Sequence, residues 1–468
     1  MLPSNDGQDT SPPWLGHPLD VLEQWHATRR STPYQLDMRR GLPSSDQIGL
    51  SRQLLSLPGD TVFDCSDGQD WLNYGGLQGI PELRQLLGPL LLGIDDPGRV
   101  AIGGNSSLAL MHAVVGLAWR RGLPGHRPWS EAERVRFICP VPGYDRHFAI
   151  CDDFGIEMIP VALDAHGPDM DQVEAIAARD PSVRGMWCMP RHSNPYGSIY
   201  SDATVQRLAA LQAAAADFTL FCDNAYAVND HDFSDWKAPT LQADCVAAGH
   251  PERCLQFAST SKMAIPGAGV ALLGASPALL HWWLAGQRAC TIGPDKVNQV
   301  RHLLLFRHAA GTLEHMQRHG ELLAGRLAPV MDVFARGLGG LQDVHWTRPR
   351  GGYFVTLQVP AGCATRVVEL ASQVGLSLTP AGVTHCDGVD PEDRFLRIAP
   401  SALSPHEAAC AAQVIVCCVR LACHEQDCRR RTGRAPSLGI QAGDGVAMVQ
   451  PHAGHLAARA SDTRPVDP

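Results

Sequence analysis

The sequence predicts an α/β protein: a large domain whose mostly parallel sheet is sandwiched by helices, and a smaller α+β domain. Between residues 95 and 300, apolar runs of four to seven residues alternate with turn residues and amphipathic stretches, as in strand–helix units. After residue 300, long helical stretches replace this alternation. A chain of 468 residues is long enough for both domains to bury a core.

The large domain is assigned to residues 96–299. Its apolar runs predict buried strands, and they cover residues 136–139, 157–161, 185–189, 219–222, 254–257 and 269–273. Amphipathic patterns such as 202–215 predict helices between these strands. Because strands of a parallel sheet are buried on both faces, their nearly continuous apolar character indicates a mostly parallel sheet.

The smaller domain is assigned to residues 36–95 together with 300–428. A long helical stretch is predicted over 297–336. The elements predicted after it are strand 351–357, helix 364–374, strand 395–398 and helix 405–425. This order lacks regular strand–helix alternation and therefore indicates an α+β domain.

The two ends of the chain differ in composition from the rest. Residues 1–35 are rich in proline, serine and polar side chains, and we expect an extended N-terminal arm. Residues 429–468 are rich in arginine, glycine, alanine and proline without apolar periodicity, and we expect a disordered tail.

Charge and cysteine content exclude several classes of protein. The chain has 39 Lys and Arg against 48 Asp and Glu, a net charge of −9, which argues against a general nucleic-acid binder. The sequence shows no N-terminal segment with a basic start and an apolar stretch, as a signal peptide would have. No apolar run approaches the roughly 20 residues of a membrane span, so we expect a cytoplasmic protein. The 15 cysteines form no CxxC pair and are read as reduced thiols, with no metal site.

A lysine follows one of the predicted strands. Ser259-Thr-Ser-Lys262 comes directly after strand 254–257 and precedes the glycine-rich Pro266-Gly-Ala-Gly269. A lysine held in a cleft can lose its proton and form a Schiff base with a carbonyl group. On this segment alone, a surface lysine on a loop remains the alternative.

Two further segments place polar side chains at the ends of strands. Asp223-Asn-Ala-Tyr226 follows strand 219–222, and His192-Ser-Asn-Pro-Tyr-Gly197 follows strand 185–189. Ligands of α/β proteins bind at the carboxyl ends of parallel strands. Asp223 could pair with a protonated pyridine, and Tyr226 and Asn194 could donate to its ring oxygen. Ordinary turn chemistry is the alternative for each segment.

A possible phosphate site precedes the helical run 108–118. Gly103-Gly-Asn-Ser-Ser107 combines glycines with two hydroxyls at a helix N-terminus, where free N–H groups and the helix dipole favour an anion. An ordinary serine cap is the alternative. Taken together, these segments supply an amine, an acid for a pyridinium, donors for a phenolate and a phosphate cradle, which matches pyridoxal 5′-phosphate.

The order and spacing of these segments resemble those of fold-type I aminotransferases. Longer stretches resemble the actinobacterial and Deinococcus-type branch of aspartate aminotransferases. These stretches are Tyr74-Gly-Gly-Leu-Gln-Gly79, Cys139-Pro-Val-Pro-Gly-Tyr-Asp-Arg-His-Phe148, Gly185-Met-Trp-Cys-Met-Pro190 and Thr291-Ile-Gly-Pro-Asp-Lys-Val-Asn-Gln299. The similarity extends from about residue 30 to residue 425.

The resemblance implies roles for individual residues. Lys262 would be the catalytic Schiff-base lysine and would carry the proton between substrate and cofactor. Asp223 would pair with the pyridinium nitrogen, Asn194 and Tyr226 would bind the ring oxygen, and Tyr144 would stack on the ring. The phosphate would be held by Ser106, Ser107, Ser259 and Ser261.

The resemblance also implies an assembly and a substrate site. Tyr74 matches a tyrosine that reaches the phosphate of the neighbouring subunit, which implies a homodimer with shared active sites. Arg397 matches the arginine that binds the substrate α-carboxylate, and a planar guanidinium suits that bidentate contact. Gly41 and Asn194 would lie beside the substrate, with Arg39 or Arg146 on a distal carboxylate.

The chain departs from the wider family at one position. The family at large often has a phosphate-binding arginine a few residues after the lysine, whereas residues 263–270 contain no basic side chain. Lys296 is the candidate that would neutralise the phosphate instead.

The resemblance implies a ping-pong aminotransferase that uses an amino acid, with aspartate or glutamate preferred, and a 2-oxo acid. Aromatic or kynurenine-type substrates remain an alternative, as does a pyridoxal-phosphate lyase or decarboxylase of the same fold. A non-catalytic regulator would need a DNA-binding winged helix, for which residues 1–35 are too short.

Overall fold

A computed structural model of the protein describes residues 18–432. The helices are α1 (Leu19–Ser31), α2 (Ser45–Leu50), α3 (Pro81–Leu92), α4 (Ser107–Arg121), α5 (Asp145–Asp153), α6 (Met170–Arg179), α7 (Asp202–Ala210), α8 (Leu241–Ala247), α9 (Pro277–Gln287), α10 (Lys296–Phe306), α11 (Ala309–Leu338), α12 (Ala364–Gln373) and α13 (Pro405–Thr432). The strands are β1 (Leu36–Asp37), β2 (Val100–Ile102), β3 (Arg136–Val141), β4 (Glu157–Asp164), β5 (Gly167–Pro168), β6 (Val183–Cys188), β7 (Thr219–Asp223), β8 (Cys254–Ser259), β9 (Ala271–Gly274), β10 (His345–Trp346), β11 (Val355–Gln358), β12 (Leu376–Ser377) and β13 (Phe395–Ile398).

The large sheet has the strand order β2-β9-β8-β7-β6-β3-β4-β5 within the described residues. Neighbouring strands from β8 to β4 run parallel, whereas β9, β2 and β5 pair antiparallel at the two edges. The predicted α/β sheet is therefore mixed, with a parallel centre. The short strands β2 and β5 were not expected, because runs of two or three residues give no recognisable periodicity.

A smaller sheet has the order β10-β11-β13 and is antiparallel. One of its faces is apolar: Val355 and Leu357 on β11 and Leu396 and Ile398 on β13 are buried in a core shared with α11, α12 and α13. The opposite face carries polar side chains and faces the large sheet. The predicted strand over 351–357 begins only at Val355, because the two glycines Gly351 and Gly352 pack against His192 in a turn.

The expectation of an extended arm is wrong for the residues after Pro18. They form helix α1, which buries Leu22 and His26, and the His26 ring lies 2.9 Å from the carbonyl oxygen of Leu370. The prolines before this helix obscured its apolar spacing. Residues 1–17 lie outside the described residues.

Two predicted helices have different bounds. The stretch expected as one helix over 297–336 is divided into α10 and α11, because Arg307 adopts a left-handed φ of 65° and His308 caps α11 by accepting a hydrogen bond from the Gly311 N–H. Helix α13 continues to Thr432, so the prediction of a disordered tail is wrong for residues 429–432, and residues 433–468 lie outside the described residues.

No apolar run was expected to approach the length of a membrane span, yet helix α13 is long and apolar enough to cross one by length and composition. Most of that stretch is buried inside the protein. Its middle, Val414–Val419, is wholly buried in the core of the smaller sheet, which is typical of a central core helix.

Leu22→Ala should lower the free energy of unfolding by about 2–5 kcal/mol, because a fully buried leucine loses its contacts and leaves a cavity. Urea denaturation measures this loss. Val389→Ala is the control, since Val389 is largely exposed and should change stability by about 0.5 kcal/mol or less. A loss no larger than that of the control would contradict the packing of α1.

Candidate active site

A cavity of about 350 Å³ lies between the large and the smaller sheet. Its floor is formed by the carboxyl ends of β6, β7 and β8 and by the first turn of α4, and residues of the smaller sheet cover it. It is lined by Arg40, Gly41, Leu42, Ser106, Ser107, Leu108, Met111, Tyr144, Asp145, Arg146, Met189, Asn194, Asp223, Ala225, Tyr226, Ser259, Ser261, Lys262, Phe354 and Arg397. Most residues that the sequence predicted for the site therefore lie together.

Lys262 ends a short 3₁₀ helix that directly follows β8. Its amine donates a hydrogen bond to the Gly41 carbonyl and lies 4.8 Å from the centre of the Tyr353 ring. Among the described residues no carboxylate is within ion-pair distance of it. Burial away from water therefore lowers the pKa of Lys262 to about 8, which makes a neutral, nucleophilic amine accessible near neutral pH.

Gly41 is required where it approaches this amine. A Cβ atom at Gly41 would lie 2.5 Å from a ring carbon of Phe354 and 3.0 Å from the Cβ of Tyr353. Any side chain there would displace the backbone that accepts the Lys262 hydrogen bond.

Asp223 lies at the end of β7 and is only 2% exposed. One carboxylate oxygen is 3.1 Å from the Nε2 atom of His147, and the other accepts from the Ala225 N–H at 3.1 Å. The His147 ring stacks on Trp187, with centroids 4.4 Å apart and planes 7° apart. These contacts fix the carboxylate in one orientation.

Sequence reasoning missed the role of His147. The residue lies within a quoted motif, three positions after Tyr144 in the first turn of α5. Residues three apart share one face of a helix, so the spacing could have placed His147 beside Tyr144; their ring centroids are 5.1 Å apart. Its contact with Asp223 depends on the packing of α5 against β7.

Two tyrosines and an asparagine complete the walls beside Asp223. Burial raises the pKa of Tyr226 and raises that of Tyr144 to about 12, so both hydroxyls stay protonated and can donate. The Oδ1 atom of Asn194 is buried and has no hydrogen-bond partner in the described part of the chain. This amide oxygen would accept from a donor on a ligand, whereas donation to a ring oxygen would come from the Nδ2 group of the same side chain.

The first turn of α4 forms the hydroxyl-rich end of the cavity. Ser106 caps the helix by accepting from the Ala109 N–H at 3.3 Å, and Ser107 is its first residue. Ser259 ends β8, and the Ser261 hydroxyl donates to the Asn105 carbonyl at 3.3 Å. A helix N-terminus with several hydroxyls suits a phosphate group.

Three predicted residues do not line this cavity. The Lys296 amine is buried and donates to the carbonyl oxygens of Tyr74, at 3.4 Å, and Gly75, at 3.1 Å, so it lies away from the cavity of its own subunit, and its assignment to the phosphate stays a prediction. The Tyr74 side chain is 85% exposed. The Arg39 guanidinium turns away to pair with Asp37 at 2.6 Å, and its neighbour Arg40 lines the cavity in its place.

Arg397 projects from β13 into the cavity and is only 9% exposed. Its Nη1 atom is 3.0 Å from a carboxylate oxygen of Asp145, and its Nη2 atom donates to the Arg39 carbonyl at 3.4 Å. The buried Nε atom has no partner among the described residues. Arg146 is half-exposed, with its Nε atom 3.9 Å from Asp145. Sequence reasoning did not predict Asp145 as a neighbour of Arg397.

The walls of the cavity fit the groups of pyridoxal phosphate. Asp223 offers a fixed carboxylate, Tyr226 and Asn194 offer polar atoms, and α4 offers a hydroxyl-rich helix terminus. Lys262 offers an amine with a lowered pKa on the same cavity.

Known proteins resemble the chain over most of its length. The family model described as aspartate amino-transferase matches residues 17–431. An aspartate aminotransferase of Corynebacterium glutamicum is 41% identical over 399 residues, which are 85% of this chain and 91% of that protein. A Mycolicibacterium smegmatis protein that bears the name aminotransferase is 44% identical over 409 residues, which are 87% of this chain and 95% of that protein.

Solved structures show the same architecture. The crystal structure of an aspartate transaminase from Corynebacterium glutamicum has a TM-score of 0.84 at 39% identity and covers 89% of this chain and 98% of its own. An α-aminoadipate aminotransferase from Thermus thermophilus, complexed with N-(5′-phosphopyridoxyl)-L-leucine, has a TM-score of 0.66 and covers 88% of this chain and 96% of its own. At 19% identity its likeness shows the fold alone.

Lys262 should react with a small aldehyde at a lower pH than ordinary lysines do, because its pKa is about 8. With the protein free of any bound aldehyde, reductive trapping followed by peptide mass spectrometry should give half-maximal labelling of Lys262 near pH 8, since only the neutral amine reacts. Lys262→Arg should abolish the labelled peptide. Labelling that begins only above about pH 10 would contradict the effect of burial.

Proposed function

The chain belongs to the aspartate aminotransferase family and is an aminotransferase of fold type I; we propose that it transfers the amino group of aspartate or glutamate to a 2-oxo acid with pyridoxal 5′-phosphate as cofactor. Lys262 carries this proposal. Its amine is buried and has no carboxylate partner within residues 18–432, and it lies on the same cavity as Asp223, Asn194 and Tyr226. When bound, the cofactor supplies an aldehyde that holds the substrate nitrogen and a ring that accepts electrons from its α-carbon.

The protein's own groups divide the remaining tasks. Asp223, held by His147, would keep a positive charge on the ring nitrogen. Tyr226 stays protonated and would donate to the ring oxygen, with Asn194 beside it. The four serines around α4 and β8 would hold the phosphate.

Lys262 would also move the proton. A free amine whose pKa lies near the working pH can remove a proton and later return it. Because Lys262 and Arg397 line the same cavity, an α-carboxylate bound by the guanidinium would present its α-carbon to the amine.

Charge in the cavity supports a substrate with two carboxylates. Arg40 and Arg146 line the cavity in addition to Arg397. Within the described residues Arg40 makes no ion pair, and Arg146 makes only a long contact of 3.9 Å with Asp145. One of these cations would bind the distal carboxylate. Arg39 is less favoured than these two arginines, since its guanidinium pairs with Asp37 and does not line the cavity.

A homodimer and a cytoplasmic location are further parts of the proposal. The dimer is supported by apolar side chains exposed around Tyr74: Val62, Leu72 and Ile292 are each more than half exposed. A partner subunit would bury them and bring Tyr74 to the neighbouring cavity.

Lys262→Ala should remove the pH-dependent visible absorbance of the protein loaded with pyridoxal phosphate. It should also reduce turnover of aspartate with 2-oxoglutarate by about a thousandfold or more, because the covalent link and the proton carrier are lost together. A coupled assay and a spectrum measure both effects. Analysis of the products formed by the wild-type protein distinguishes an aminotransferase from a lyase or decarboxylase. Turnover by Lys262→Ala at the wild-type rate would refute the role of Lys262.

Arg146→Ala and Arg40→Ala test the site of the distal carboxylate. Loss of the cation that binds it should raise the KM for aspartate by about tenfold or more, while the KM for alanine, which lacks that carboxylate, should change little. Arg39→Ala is the matched control and should leave both constants unchanged. An unchanged aspartate KM in all three variants would exclude a dicarboxylate subsite at these arginines.

A further inference from the structure

A second cavity, which we call the cleft cavity, lies beside the candidate active site and has a volume of about 680 Å³. One wall is the polar face of the smaller sheet, and the other is the loop 196–202 of the large sheet. The two cavities share no lining residue. A volume in this range suits a small organic molecule.

The cleft cavity and the active site are lined by residues that lie two positions apart in the chain. Asn194 lines the active site and Tyr196 lines the cleft cavity; the same holds for Phe354 and Thr356. On β13, Arg397 lines the active site, whereas Phe395 lines the cleft cavity. A molecule in the cleft cavity would therefore touch three residues that lie two positions from active-site residues.

Strand register places Thr356 next to Arg397. The two residues are directly opposite each other in the β11–β13 pair, and opposite residues of an antiparallel pair lie on one face of the sheet. Gln358 and Phe395 form the next such pair along the same face. The polar face of the smaller sheet thus continues from the active site into the cleft cavity.

One buried polar atom on the polar face of the smaller sheet, Thr356 Oγ1, has no partner within the described residues. Thr356 is only 2% exposed, so water does not readily satisfy its hydroxyl. Unpaired buried groups of this kind destabilise a protein unless a ligand or a bound water completes them.

The charge of the lining favours an anion. Arg348 makes no ion pair with any described residue, and its guanidinium lies 6.0 Å from the centre of the Trp346 ring. Arg350 pairs with Asp235 at 3.1 Å, but both side chains are largely exposed and the pair is therefore weak. Asp202 is the one acidic residue in the described lining. Tyr196 and Phe395 add aromatic surface.

We propose that the cleft cavity binds a small molecule that carries both an aromatic ring and an anionic group, and that the bound molecule changes the affinity of the active site for its substrate. Arg348 binds the anion, Tyr196 and Phe395 contact the ring, and Thr356 completes its hydrogen bonding. Binding to the cleft cavity does not depend on the proposed reaction, because it is measured without turnover, whereas the effect on the active site rests on the proposed function, because it is measured as a KM.

Calorimetry of the cofactor-loaded protein with two probes tests the binding. Indole-3-carboxylate and adenosine 5′-monophosphate both combine a ring with an anion, and comparison of the two distinguishes a carboxylate from a phosphate ligand. At least one probe should bind with a Kd of about 1 mM or tighter, and Arg348→Ala should weaken it by about tenfold. Arg348→Glu should abolish binding, because it repels the anion.

Arg121→Ala is the matched control. Arg121 is an exposed arginine at the far end of α4, the helix whose first turn lines the active site, and the change should leave probe binding unaltered. Arg348→Ala without probe should keep the wild-type KM for the amino acid within about twofold. The absence of binding by both probes, or binding that does not depend on Arg348, would overturn the proposal.

The effect on the active site is tested with the probe that binds. A saturating concentration should change the KM for the amino acid by about threefold or more in the wild-type protein and leave it unchanged in Arg348→Glu. A KM that the probe does not alter would overturn the coupling between the cavities.

Discussion

The burial of one lysine amine is the constraint around which the site is arranged. Lys262 lies where β8 ends, its hydrogen-bond acceptor is the backbone of Gly41, and its ring neighbour is Tyr353. Gly41 and Tyr353 belong to the chain segments around the smaller sheet, so the amine is shielded only where these segments meet the large sheet. Exclusion of water at this junction lowers the pKa of Lys262. The reactivity of the amine therefore depends on the packing of these segments against the large sheet.

The central strands explain why the other groups converge on that amine. β6, β7 and β8 are parallel neighbours, and Asn194, Asp223 and Lys262 each follow one of them. A parallel arrangement brings the carboxyl ends of successive strands to one edge, so residues far apart in sequence become neighbours. At one edge of this sheet, β9 pairs antiparallel with β8 up to Ser259 and so supports the strand end that precedes Lys262.

The parts predicted correctly from the sequence are those that depend on local pattern. The central strands have continuous apolar runs, and Lys262, Asp223 and Asn194 could be located because each follows such a run. Lys296 and Arg39 could not be assigned in the same way, since the direction of a long side chain depends on partners such as the Tyr74 carbonyl and Asp37. The break between α10 and α11 at Arg307 and the contacts of His147 and Asp145 likewise arise from tertiary packing. The assigned domain boundaries stay predictions.

The ion pair between Asp145 and Arg397 has a consequence for how a substrate enters. Asp145 begins α5 on the large-sheet side, and Arg397 belongs to the smaller sheet, so the pair ties the two sides together. A substrate whose α-carboxylate binds Arg397 would exchange one carboxylate for another at the same guanidinium. The affinity for the substrate would then depend on the difference in free energy between the Arg397–substrate contact and the Arg397–Asp145 contact. The released Asp145 carboxylate would also repel any ligand that brings negative charge to its side of the cavity.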